Sequence, residues 1–294
     1  MRALTSFVSG ILMFAAAANA QETDWQKVDA TLARRATVTG EVHRYAFPRT
    51  DLNVTLDGVA IKPALALGGW LAFKPAHGEA MVMGDLVLLE DEIAPVVTKL
   101  IEGGLEITAI HNHVLRGSPA TFYVHVGGHG DPGSLATAIR AALAESKTPL
   151  QASAPAGPAP AIDLDTAQLE TIIGTKGQAN GGVYQFSVPR RERIAEGGME
   201  IAPAGPMGAA TAIGFQPTGN GKAAIAGDFA LLGREVNPVV RTLRANGIEV
   251  TAIHSHMLTE DPRIFFLHFW AHDDALKLAR GLRAALDNTA SVGG

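Results

Sequence analysis

Cysteine is absent from all 294 residues. That single lack excludes disulfide staples, thiolate metal sites, cysteine nucleophiles and lipid attachment at a leader cysteine. A chain of this length buries enough apolar surface to fold without staples. Aromatic residues are sparse at 6%, and positive charge is in deficit, 24 Lys+Arg against 29 Asp+Glu for a net charge of −5. A mildly acidic balance argues against nucleic-acid partners. Long apolar runs are also missing: no stretch approaches the roughly 20 residues of a spanning helix. The Gly-rich Gly127-Gly128-His129-Gly130 lacks the Lys-Ser/Thr of a phosphate loop, and no Gly-x-Ser-x-Gly elbow occurs. His111-Asn112-His113 is not an HNH nuclease signature, which spreads those residues over a larger element.

What the chain does hold begins at its N-terminus. MRALTSFVSGILMFAAAANA has one positive charge, a short apolar run and the small-x-small ending Ala18-Asn19-Ala20. This is the anatomy of a secretory signal peptide spanning 1–20. A periplasmic or secreted protein is expected, with no transmembrane segment in the mature chain.

The remainder is written twice. Gly84–Asp131 laid on Gly227–Asp274 needs no gap and matches at 22 of 48 positions. Upstream, GEVHRYAFPR at Gly40–Arg49 parallels GGVYQFSVPR at Gly181–Arg190. The expected division is a first repeat domain over 21–150, an Ala/Pro linker over 151–161 and a second repeat domain over 162–290. Within a copy, Glu79–Leu89 reads as a strand and Asp91–Glu102 as a helix with Ile93, Val96, Val97, Leu100 and Ile101 on one face. Pro95 is taken for its first turn, and Gly103-Gly104 for its stop. Leu105–His113 and Thr121–Gly127 read as strands, and Ser134–Glu145 as a closing helix. The expected class is α+β: two homologous repeats, each a mixed or antiparallel sheet with helices on one face.

Strand alternation then sorts the histidines. His111 and His113 share one face, and Tyr123 and His125 share one face of the next strand. Phe122, Val124 and Val126 form the opposite, helix-facing stripe. The second copy repeats this with His254, His256 and His268 against Phe265, Leu267 and Phe269. With His111 roughly opposite His125, three imidazoles of each copy can converge. Such a set suits a divalent transition metal, Zn, Cu or Ni, with a position left open. His129 and His272, each two residues before an acid, are weaker candidates. Two readings compete with the metal: a metal-free polar pocket for a small ligand or partner, to which Trp270 would lie near, and histidines that merely pack. A metal-dependent hydrolase would need proton acceptors, for which Glu92, Asp131, Glu235 and Asp274 are the candidates. Glu92 and Glu235 also suit a helix N-terminus, and Asp85 and Asp228, each after a glycine, suit a turn. Whether the two clusters form one site or two stays open, and oligomeric state is not legible.

GIEVTAIHSHMLTEDPRIFFLHFWAHDDALKLARGLRAALD at Gly247–Asp287, with its first-copy relative LEITAIHNHVLRGSPATFYVHVGGHGD, resembles the LppY/LpqO family of secreted bacterial proteins. The resemblance spans both copies. It implies export and internal duplication, and brings no assigned mechanism. The named members of that family are lipoproteins, whereas this chain has no cysteine to acylate.

Overall fold

The computed structural model describes residues 24–76, 78–151, 160–201 and 205–291. The expected leader, most of the expected linker and His77 lie outside these residues.

The first half runs α1 (Trp25–Leu32), β1 (Thr37–Thr39), β2 (Val42–Pro48), β3 (Thr55–Leu56), β4 (Val59–Ala60), α2 (Pro63–Ala66), β5 (Gly68–Ala76), β6 (Glu79–Leu88), α3 (Glu90–Glu102), β7 (Glu106–His111), β8 (Phe122–Gly130) and α4 (Pro132–Leu143). The second runs α5 (Thr166–Ile173), β9 (Gln178–Asn180), β10 (Val183–Val188), β11 (Ile194–Glu196), β12 (Met199–Ile201), β13 (Thr211–Gly219), β14 (Lys222–Leu232), α6 (Gly233–Ala245), β15 (Glu249–His254), β16 (Ile264–Asp274) and α7 (Ala275–Leu286). Each half builds one six-stranded antiparallel sheet. The orders are β1-β2-β5-β6-β8-β7 and β9-β10-β13-β14-β16-β15, the same path twice. The α+β class and the two repeats are as the sequence indicates.

Alternation along each strand feeds two different cores. Val82, Leu86, Val124 and Val126 pack under Val96 and Leu100 of α3 and Leu135 and Ile139 of α4. Phe229, Leu231, Leu267 and Phe269 pack likewise under Val239, Leu243, Leu278 and Leu282. The other faces meet each other. Two further apolar clusters mix both halves, one with Val87 and Tyr123 beside Ala226 and Trp270, the other with Met81 and Met83 beside Met257 and Phe266. The layers are therefore helix, sheet, sheet, helix, with a seam between the sheets.

Three local readings are corrected. Ile101 is 59% exposed and leaves the α3 core face to Val96 and Leu100, with Ile93 and Val97 at its margin. Pro95 lies past the first turn, because α3 starts at Glu90, with the Glu92 carboxylate bound to the Leu89 amide. Leu105–His113 is strand only over Glu106–His111. The stop is as read at Gly104, whose φ of +81° suits a residue without Cβ.

Candidate metal centre between the sheets

The row that crosses each sheet at the seam is set by register. Ala109, His125, Asp85 and Trp70 are successive cross-strand neighbours in the first half. Ala252, His268, Asp228 and Ala212 are their counterparts. Asp85 and Asp228 are thus mid-strand residues directly beside a histidine. The turn role expected for them is wrong: the preceding glycines are strand residues too, placed where a Cβ would strike the neighbouring chain. At Gly84 it would lie 2.7 Å from the Trp70 carbonyl, and at Gly227 2.1 Å from the Ala212 carbonyl.

His111 does not oppose His125. A bulge between Ile107 and Ala109 shifts the register, so that Ala109 pairs with His125 and His111 with Tyr123. The same bulge recurs between Val250 and Ala252. The irregularity has a use, because Thr108 Oγ1 donates across the seam to the His256 carbonyl at 2.7 Å, and Thr251 Oγ1 to that of His113 at 2.5 Å.

All six histidines come together in one cluster rather than two. The rings of His111 and His254 stack across the seam at 3.6 Å between centroids and those of His125 and His256 at 4.0 Å, while those of His113 and His268 meet tilted at 3.7 Å. Within the halves, His111 lies 5.0 Å from His125 and 5.1 Å from His113, against 4.8 and 5.0 Å for the equivalent second-half pairs. The cluster therefore has a local two-fold relation, with His111 and His254 at its centre. Each aspartate serves its own half: Asp85 Oδ2 is 3.4 Å from His113 Nε2, and Asp228 Oδ2 is 3.2 Å from His256 Nε2. Tyr123 covers His113 at 3.2 Å, and Phe266 covers His256 at 3.4 Å.

Burial governs the charges. It pushes His111 down to about 4, and holds His113, His125 and His256 well below the usual imidazole value. His254 and His268 are lowered by the same desolvation, and neighbouring imidazoles add to it. The six rings are consequently neutral at pH 7, with lone pairs free to coordinate. Burial also raises Asp228 to about 6 and Asp85 well above the carboxylate range, the latter helped by Asp228 and opposed by Arg44. Arg44 itself lies over the Trp70 ring at 3.9 Å and donates to the Pro206 carbonyl.

Hydrogen bonds satisfy only part of this cluster. His125 Nε2 and His111 Nε2 are 2.9 Å apart, and His268 Nδ1 donates to the Gly227 carbonyl at 2.9 Å. His113 Nε2 and His256 Nε2 have their aspartate contacts, whereas both ring nitrogens of His254, His268 Nε2, and one oxygen each of Asp85 and Asp228 are buried with no hydrogen-bond partner. Each such atom ordinarily costs about 1–3 kcal/mol, so a cluster of them calls for a group that accepts their lone pairs. Four sets have ligand atoms within 4.8 Å of one another: His111/His125/His254, His111/His113/His268, Asp85/His113/His125 and Asp228/His254/His256. Two of the four draw on both halves. Imidazole with carboxylate is a donor set for Zn, Cu or Ni.

The remaining candidates are elsewhere. Glu92 is held by Arg49 Nη1 at 2.6 Å and the Leu89 and Lys147 amides, and Glu235 by Arg190 Nη1 at 2.7 Å and the Leu232 and Ala290 amides. Both are structural ties within their own repeats. Asp131 and Asp274 are exposed helix N-caps, accepting from the Ser134 and Lys277 amides at 2.8 Å. His129 and His272 are exposed and outside the cluster, with His272 Nε2 3.0 Å from Thr218 Oγ1. Trp270 is buried in the seam, its indole N–H donating to Asp57 of the other half at 3.0 Å.

Fold and site together define a duplicated α+β protein whose two sheets enclose a histidine-aspartate cluster. The chain belongs to the family described as Domain of Unknown Function (DUF1259), whose model matches residues 26–145 and again 167–288. No curated protein matches significantly. Among solved structures, the trimeric bacterial microcompartment shell protein PduB shares 15% identity, covering 89% of this chain and 97% of that one at a TM-score of 0.21. EtuB from Clostridium kluyveri shares 8%, covering 86% and 89% at a TM-score of 0.20. Superpositions that poor carry no argument.

Proposed function

We propose that this protein binds a divalent transition metal at the seam, and that both repeats contribute ligands to one shared centre. The observation that carries the reading is the convergence of buried imidazole nitrogens and carboxylate oxygens from both halves, with the His254 ring nitrogens and His268 Nε2 lacking any hydrogen bond. Their neutral state at pH 7 supports it, since no proton need leave an imidazole before coordination. Stacking of the rings at 3.6–4.0 Å leaves little room for a substrate between them. That favours handling or sensing of the ion over hydrolysis. A periplasmic or secreted site of action belongs to the same proposal, supported by residues 1–20 and by the resemblance to LppY/LpqO proteins.

Metal content of untagged protein by mass spectrometry tests it, beside a variant carrying His111→Ala, His113→Ala, His254→Ala and His256→Ala. With each metal supplied as the divalent ion, the expected result is one or two zinc, copper(II) or nickel ions per chain in the parent and none in the variant. A parent that stays empty after incubation with all three metals refutes the reading.

A further inference from the structure

The local two-fold relation fails where Trp270 has no counterpart, and there the chain changes its chemistry. In the second half Trp270 stands opposite Ala226, and His272 opposite Ala224. In the first half the corresponding pairs are Gly127 with Met83 and His129 with Met81. Val114 lies in the apolar cluster around Trp270, whereas its counterpart in the second copy is Met257. One side of the seam is therefore filled by an indole among small aliphatic residues. The other side has glycine, Gly127, where Trp270 would correspond, carries Met81, Met83 and Met257, and has the Trp70 indole packed against it.

A cavity remains on that open side, lined by Met81, Met83, Met257, Gly127, His129 and Glu196, and reaching His256. All five methionines beyond residue 20 gather in this part of the seam: Met81, Met83, Met207 and Met257 are buried and Met199 packs against them. The Glu196 side chain has one oxygen bound to Thr259 and its other oxygen buried with no partner. Met81, Met83 and Asp85 alternate along one face of β6, so the sulfur-lined cavity continues toward the histidine cluster.

We infer that this cavity is a second metal site, distinct from the histidine centre, for a soft monovalent ion of the copper(I) class. The Met81, Met83 and Met257 sulfurs are its donors, with His129 as the imidazole. Thioethers prefer copper(I) and are poor ligands for zinc or nickel. Nothing about volume alone demands three sulfurs: leucine matches methionine closely in size.

Anaerobic titration with copper(I), in competition with a chromophoric chelator, tests the assignment on the full-length protein. The variant is Met81→Leu/Met83→Leu/Met257→Leu, with Gly127→Trp as a second variant that copies the other half. A Cβ at Gly127 would meet only Thr108 Cγ2, at 3.6 Å, so a side chain can start there. Cobalt(II) uptake at the histidines reports, in the same samples, on folding and on the separate centre. The expected result is one equivalent of copper(I) with copper–sulfur scattering in X-ray absorption, lost in both variants while cobalt(II) uptake persists. Copper–sulfur scattering absent from the parent, or unchanged in the triple leucine variant, overturns the inference and makes the methionines fillers of the room left by the missing indole. Loss of cobalt(II) uptake in the parent, with copper–sulfur scattering present, would instead defeat the histidine reading alone.

Discussion

Arg49 and Arg190 are almost wholly buried, and each guanidinium lies between two carboxylates, Asp51 with Glu92 and Glu192 with Glu235. Each also donates to a strand carbonyl, Val87 or Ala230. The glutamate then ties the helix start to the loop after the repeat's closing helix, at Lys147 or Ala290, so one charge pair fixes strand, helix and loop in each repeat. Removing one partner leaves a buried charge, which costs about 3–5 kcal/mol. Arg49→Met should therefore lower the urea midpoint strongly, and adding Glu92→Leu should recover part of the loss. The histidines set the acid limit. Their folded values lie below the unfolded value of 6.5, so between the two the unfolded chain binds more protons, and metal-free stability falls as pH drops through 6.5. Asp228, raised to about 6, and Asp85, raised well above the carboxylate range, act in the opposite sense below their folded values. Six imidazoles outweigh the two carboxylates. Urea midpoints of metal-free protein should decline from pH 7.5 to 5.5, and the decline should shrink in the four-histidine variant.

At the scale of the element, period-two alternation along the strands made the helix-facing stripe legible, because Val124 and Val126 on β8 and Leu267 and Phe269 on β16 are apolar without exception. The face of the histidines followed from the same rule. The bulges at Thr108 and Thr251 did not, since an extra strand residue leaves no mark in hydrophobic period. Asp85 and Asp228 were misread for a related reason: a Gly-Asp pair suggests a turn, and only the neighbouring strand reveals that the glycine is there for close approach. Gly227→Ala would place Cβ against the Ala212 carbonyl and the Phe269 ring. Overpacking of this kind costs about 1–3 kcal/mol, and the substitution should lower the thermal midpoint without abolishing metal uptake. The helices α1 and α5 leave little mark in the sequence because each is short and only two of its residues are fully buried, Val28 with Leu32 and Leu169 with Ile173.

At the scale of the molecule, duplication was plain in the sequence, but how the copies meet was not. Nothing in either copy states that its open sheet face is closed by the other's. The crossed bonds of Thr108 and Thr251, and the clusters that mix both halves, are long-range facts. A metal held by both halves binds only the assembled state, so it should stabilise the fold by mass action, about 2.7 kcal/mol at a concentration 100 times Kd. Adding zinc to metal-free protein should raise the thermal midpoint, and chelator should reverse it. The sharpest test of a shared centre is metal stoichiometry after disarming one repeat only, with His111→Ala, His113→Ala and His125→Ala. Every mixed ligand set passes through His111. A shared centre predicts that this one-sided variant loses most of the bound metal, leaving well under half of the parent's content. Retention of half the parent stoichiometry, at unchanged affinity on the intact second-repeat histidines, would show two independent sites and contradict the account.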